Sequence, residues 1–268
     1  MNELAHHICG TAQRAGDRIL DIRSKFNEGE IILKGDGSPV TQADMAAHEL
    51  IVRDLSILRP EWPIVSEEGS AGDITSRVDF SFLVDPLDGT KEFIRGNGMY
   101  TVNIAVMSRN ENNRWDPILG VVHAPEYNAT WFGGRSVNAT LLDSNGMRSI
   151  SAGSDRSVPI VLGSVSHSSP RDRRFCEAIG EHIFEGVGSS IKICRVADGS
   201  ADLTPRFGPT SCWDTAAAHA ILNSAGGNLL GPDGNELDYD IKEEVLNPWF
   251  LATSGGLSKD IWLLHQEL

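Results

Sequence analysis

Apolar positions along the chain switch between two periods. Leu4, Ile8, Ala12, Ala15, Ile19 and Ile22 recur at helical spacing and predict a helix over residues 3–24. A second helix is predicted over 42–58, opened by Thr41 and Asp44 at the spacing of a capping box. Ser81-Phe82-Leu83-Val84 predicts a buried strand that stops at Asp85-Pro86, since proline lacks the N–H that a ladder needs. Further strands are predicted over 99–107 and 117–123. The segment 138–158 is polar, holds Gly146 and Gly153, and predicts a boundary between an N-terminal half, 1–150, and a C-terminal half, 151–268. Beyond it a strand at 158–165, a helix near 170–180, a strand at 183–187 and a helix at 190–197 alternate, the pattern of a partly parallel α/β half. Ala216, Ala217, Ala220 and Ile221 predict an apolar helix directly behind Asp214.

Composition narrows what such a chain can do. Its 268 residues are 40% hydrophobic and 22% charged, which excludes a disordered chain or a small disulfide scaffold. No run approaches the roughly 18 apolar residues of a membrane span, and the first residues lack the pattern of a signal peptide. A cytoplasmic protein is therefore expected, with peripheral association at the inner membrane left open. The formal net charge of −14 repels a nucleic-acid backbone over most of the surface, so a nucleic-acid polymer is excluded as partner. A small anionic substrate stays open if bound cations invert the sign locally. Cys9, Cys176, Cys194 and Cys212 have no zinc-type spacing and are expected to be buried free thiols.

The candidate chemistry begins at Leu83-Val84-Asp85-Pro86-Leu87-Asp88-Gly89-Thr90. An apolar strand leads into two carboxylates three residues apart, with a proline and a glycine that let the chain curl around one point. Hard cations such as Mg²⁺ select that oxygen-only set. Lys91-Glu92-Phe93 is read as a helix start whose N–H groups face a phosphate. A surface turn rich in Asp and Gly would look the same. Ile64-Val65-Ser66-Glu67-Glu68 is a second apolar strand ending in acids, and Asp214 opens the apolar helix. Asp214 and Asp44 each have an ordinary reading as helix-capping residues.

Taken together, Glu67-Glu68, Asp85-Pro86-Leu87-Asp88-Gly89-Thr90 and Trp213-Asp214-Thr215-Ala216-Ala217 resemble the signatures of the inositol monophosphatase superfamily. Asp88 to Ile94, Tyr100 to Ala105, Ile118 to Val122, Pro205 to Thr210, Leu237-Asp238-Tyr239 and Leu246-Asn247-Pro248 are similar to its bacterial 3'(2'),5'-bisphosphate nucleotidase branch. The resemblance implies an α/β fold, a layered αβαβα sandwich with the metal site between two halves. It implies two or three Mg²⁺ held by Glu67, Asp85, the Leu87 carbonyl, Asp88 and Asp214. It implies that Thr90 and Asp44, with Glu67, activate a water, and that lithium inhibits. It also implies that the substrate meets Asp88, Gly89, Thr90, Asp214, His167, the Gly188-Ser189-Ser190 loop, Lys192 and Arg206. The implied reaction is hydrolysis of the 3'-phosphate of adenosine 3',5'-bisphosphate, with the sulfate-activated nucleotide PAPS as a further substrate. The implied partner is thus a small phosphorylated nucleotide, met by a monomer or homodimer. An inositol or sugar monophosphatase shares the same acids and is the alternative. Val165, in Ser164-Val165-Ser166-His167, stands where the nucleotidases usually carry arginine.

Physics agrees with a metal. Two carboxylates about 4 Å apart repel by roughly 4 kcal/mol at an effective dielectric of 20, so four clustered acids stay ionised only with cations among them.

Overall fold

A computed structural model describes residues 3–26, 32–33, 39–69, 78–153, 155–165, 169–241, 245–255 and 260–263. His167, expected to line the pocket, lies outside the described residues.

The two N-terminal helices form as their periods predict, α1 over Glu3–Arg23 and α2 over Gln42–Leu58. Thr41 caps α2 by accepting from the Ala43 N–H at 3.1 Å, while its own N–H donates to Asp44 Oδ2 at 2.8 Å. Between them lies a minimal hairpin, β1 (Ile32–Leu33) and β2 (Pro39–Val40).

The first sheet has seven strands in chain order: β3 (Ile64–Ser66), β4 (Phe80–Asp88), β5 (Thr101–Arg109), β6 (Trp115–Ala124), β7 (Ala129–Gly134), β8 (Val137–Asp143) and β9 (Gly146–Ser149). Only β3 and β4 run parallel; the rest is an antiparallel meander. Alternation along β4 and β5 sorts the side chains onto two faces. Phe82, Val84, Val102, Ile104 and Val106 turn toward α1 and α2, while Leu83, Ala105 and Met107 join a second core on the opposite side.

The second sheet runs β11 (Ile183–Val187), β10 (Ile160–Ser164), β12 (Leu203–Arg206), β14 (Phe250–Thr253) and β13 (Asn228–Leu230) in spatial order. Its β10 pairs in parallel with both β11 and β12. Between the sheets lie α5 (Ile191–Ala197) and α6 (Cys212–Ser224), and α6 is buried from Thr215 to Leu222. The short α3 (Thr90–Arg95) follows β4, and α4 (Pro170–Ile179) and α7 (Asp260–Leu263) meet the outer face of the second sheet through Phe175 and Trp262. The layers are helices, sheet, helices, sheet, helices: the αβαβα sandwich that the sequence resemblance implies.

One expectation needs correction. Pro86 does not end its strand. Asp85 pairs with Asn103 and Asp88 with Thr101, so three steps on β4 face two on β5, a β-bulge. The missing N–H of Pro86 is absorbed there. The polar segment 138–158 carries most of β8 and all of β9, a hairpin at the sheet edge that ends at Ser149. All four cysteines are buried thiols outside any disulfide, and no helix among the described residues is long and apolar enough to cross a membrane.

Candidate active site

The bulge aims two acids of β4 at one cleft. Asp85 is 1% exposed and accepts the Leu87 N–H at 3.0 Å, which turns the intervening Pro86 back on itself. Glu67 follows β3, and its own N–H donates to the Val84 carbonyl at 3.1 Å, so the β3–β4 pairing places it beside Asp85. Asp214 comes from the first turn of α6, where its Oδ2 accepts the Ser211 N–H at 2.9 Å. That is the capping geometry of its ordinary reading, and it leaves a carboxylate oxygen for the cleft. Carboxylate oxygens of Glu67, Asp85 and Asp214 all lie within 4.8 Å of one another.

The electrostatics show what that proximity costs. Burial, then the charges of Glu67, Asp88 and Asp214, push the Asp85 carboxyl well above the usual range. Burial and the neighbouring Asp88 and Glu67 raise Asp214 to about 8. Asp88 rises to about 6 through burial, held back by Lys192 and by the Ser190 N–H. Buried acids that repel one another in this way hold a proton more readily than free carboxylates unless a cation takes its place. An oxygen-only donor set of clustered, protonation-prone carboxylates fits magnesium.

A second group stands beside the acids. Thr90 Oγ1 donates to Asp44 Oδ1 at 3.0 Å and lies 3.4 Å from the Leu87 carbonyl. The other Asp44 oxygen accepts both the Thr41 N–H, at 2.8 Å, and the Thr41 hydroxyl, at 2.7 Å. Asp44 is 2% exposed, and burial raises its carboxyl against these hydrogen bonds. It is thus both a capping residue and the partner of Thr90.

Two cations complete the cleft. Burial lowers Lys192 to about 8, opposed by the charge of Asp88, and its ammonium donates to the Ser189 carbonyl at 2.7 Å. Arg206 is held by Thr210 Oγ1 at 2.8 Å and the Pro209 carbonyl at 2.7 Å. Glu67, Asp88, Gly89, Thr90, Gly188, Ser189, Ser190, Lys192, Arg206 and Asp214 all line one cavity of about 360 Å³. Asp85 and Leu87 are buried and do not line it. Gly188 lets the loop close down, since a Cβ there would sit 2.7 Å from the Met99 carbonyl. Ser164 lines the cavity, whereas Val165 turns outward against Gly186 and is 46% exposed. His219 is packed between Tyr239 and Glu236, away from the cleft.

Sequence reading assigned no role to Thr101, Asn103 or Asn247. Asn247 donates to the Ser211 carbonyl at 2.8 Å and to Thr215 Oγ1 at 2.9 Å, pinning the end of α6 that carries Asp214. Thr101 and Asn103 are fully buried polar residues at alternate positions of β5. Their signal was present in the chain: two hydrogen-bonding side chains on one face of a strand whose other face is Val102 and Ile104.

Comparison with known proteins follows this geometry. The chain matches the inositol monophosphatase family over residues 1–262. It is 41% identical to the 3'(2'),5'-bisphosphate nucleotidase CysQ of Escherichia coli (strain K12), across 91% of this chain and 96% of that protein. The protein of the same name in Salmonella typhimurium is 40% identical across 93% and 99%. Among solved structures, CysQ from Bacteroides thetaiotaomicron superimposes with a TM-score of 0.82 at 33% identity, covering 96% of this chain and 99% of that one. The suppressor protein suhB from Bartonella henselae shares the fold at a TM-score of 0.80 and 22% identity, covering 98% of each chain. In sequence and in fold, the chain belongs to the inositol monophosphatase family.

Proposed function

We propose that this protein is a magnesium-dependent 3'(2'),5'-bisphosphate nucleotidase that hydrolyses the 3'-phosphate of adenosine 3',5'-bisphosphate to AMP and phosphate, and accepts PAPS at the same site. The observation that carries the reading is the meeting, in one cleft, of an oxygen-only acid cluster and two half-buried cations, Lys192 and Arg206. The bisphosphate nucleotidases at about 41% identity support it.

Glu67, Asp85, Asp88, Asp214 and the Leu87 carbonyl would hold the magnesium ions, with lithium as a competitor for one position. Magnesium supplies Lewis-acid polarisation of the phosphate and lowers the pKa of water. The remaining steps belong to the chain. Thr90 donates its only hydroxyl proton to Asp44, so its oxygen is left to accept from a water in the cleft. As that water attacks phosphorus in line with the ribose 3'-oxygen, its proton passes to Thr90 Oγ1 while Thr90 releases its own to Asp44 Oδ1; the P–O3' bond breaks and the departing ribose oxygen takes a proton from solvent water to give AMP. Burial favours the protonated form of Asp44, which makes it the better proton acceptor. At the other end of the cleft, Lys192, Arg206 and the Gly188-Ser189-Ser190 loop take the 5'-phosphate. The N-terminal half, 1–150, thus supplies most of the reaction centre, and 151–268 adds Asp214 and the nucleotide contacts.

The test is phosphate release with magnesium from adenosine 3',5'-bisphosphate and from inositol 1-phosphate in parallel, each against a chelated blank. A preference of at least tenfold in kcat/KM for the bisphosphate is expected. Preference for the inositol ester would overturn the nucleotide assignment and leave the acid cluster in place.

A further inference from the structure

Asp88 stands beside the Glu67, Asp85 and Asp214 group and raises both aspartates by its charge, Ser190 belongs to the loop assigned to the nucleotide, and the two are bonded directly. The Ser190 N–H donates to Asp88 Oδ2 at 2.6 Å across 102 residues of chain. A second path joins the same pair through β5. Ser190 Oγ donates to Asn103 Oδ1 at 2.7 Å, and Asn103 Nδ2 donates to Asp88 Oδ2 at 3.4 Å. Proton supply fixes the direction of the remaining bond. Ser190 has one hydroxyl proton and gives it to Asn103, so Thr101, 2.8 Å away, is the donor to Ser190 Oγ in preference to Asp88 Oδ2, which lies 3.5 Å from the same hydroxyl. Each donor to Asp88 ends on Oδ2, which leaves Oδ1 as the oxygen for a cation.

Asn103 is suited to this place and few side chains would be. It accepts with one atom and donates with the other, and both are used, with 1% of the residue exposed. The loop it holds is not relaxed by itself. Ser189 has φ +53°, in the left-handed region that non-glycine residues avoid, so the loop's shape depends on its neighbours.

We propose that Asn103 is a positioning residue that locks the metal-binding carboxylate and the nucleotide loop into one unit, so that its loss weakens both ligands together. This rests on the nucleotidase reading for the identity of the loop's ligand and on the acid cluster for the cation. A residue that merely filled space on β5 would change stability alone.

The experiment is calorimetric titration of the whole protein with magnesium, and separately with AMP as the 5'-phosphate probe, in wild type and Asn103→Ala, at a temperature where both are folded. Both dissociation constants are expected to rise at least fivefold in the variant. Thr101→Val, nearly isosteric, removes the donor to Ser190 and the same hydroxyl's long approach to Asp88, and covers the case in which Asn103→Ala does not fold; a rise of two- to threefold is expected for each ligand. Dissociation constants unchanged within experimental error, with only the melting temperature lowered, would overturn the proposal. Failure of AMP to bind the wild type would sink the nucleotide reading instead, and the magnesium arm would still decide Asn103. Failure of magnesium to bind the wild type would overturn both.

Discussion

Single side chains in this cleft serve two masters, and that is why some were legible and others were not. Thr90 is the sharpest case. It opens α3 and also donates to Asp44, so truncating it tests the proton path without touching the acids. Thr90→Ala is expected to lower kcat by about 10²–10³-fold while KM moves little, as loss of a positioned proton carrier does; steady-state kinetics decide it, and an unchanged kcat would remove Thr90 from the reaction. Asp85 and Asp88 could be read from the chain because carboxylates at the end of an apolar strand need a reason to be there. Asn103 could not be given a role, because its partner Ser190 lies 87 residues away. Asp44 was ambiguous for a sound reason: capping uses one of its oxygens and Thr90 the other.

At the scale of elements, local pattern was enough for helices and misleading for one strand. The periods of α1 and α2 mark their ends closely, since a helix answers to its own sequence. Pro86 reads as a terminator, yet β4 continues through it because β5 offers a partner on the far side of the bulge. Tertiary pairing overrode the local signal. The seating of α6 depends on a glycine whose importance no local pattern displays. A Cβ on Gly120 of β6 would stand 1.9 Å from the Ala217 carbonyl of α6, a backbone atom that cannot swing aside. Gly120→Ala is therefore expected to cost about 1–3 kcal/mol of stability and to shift α6, with Asp214 at its tip. Urea unfolding with and without magnesium would show both, and a variant as stable as wild type would mean that the sheet and helix can part more easily than their contact implies.

Across the whole molecule, the sandwich buries ionisable groups far from the cleft as well as in it. His123, 4% exposed beside Gly16 of α1, is lowered to about 4 by burial, from 6.5. It is neutral in the fold, so its contribution to stability is complete above pH 6.5 and is lost as pH falls toward 4, where the unfolded chain takes the proton first. The stability difference between wild type and His123→Asn should change by roughly 2–3 kcal/mol between pH 7.5 and 4.5. Urea midpoints of both proteins measure this, and a pH-independent difference would overturn it. The layer order was implied by motifs, whereas the core between the sheets depends on contacts that no short window contains. That same separation orders events in the life of the molecule. A ribosome releases Glu67 and Asp85 more than a hundred residues before Asp214. Two acids on an unfinished sheet are a poor trap for a cation, and the third arrives only when α6 settles against Gly120. A metal would therefore join the assembled site last, and by binding only the folded chain it would raise the folded fraction as well as the working one.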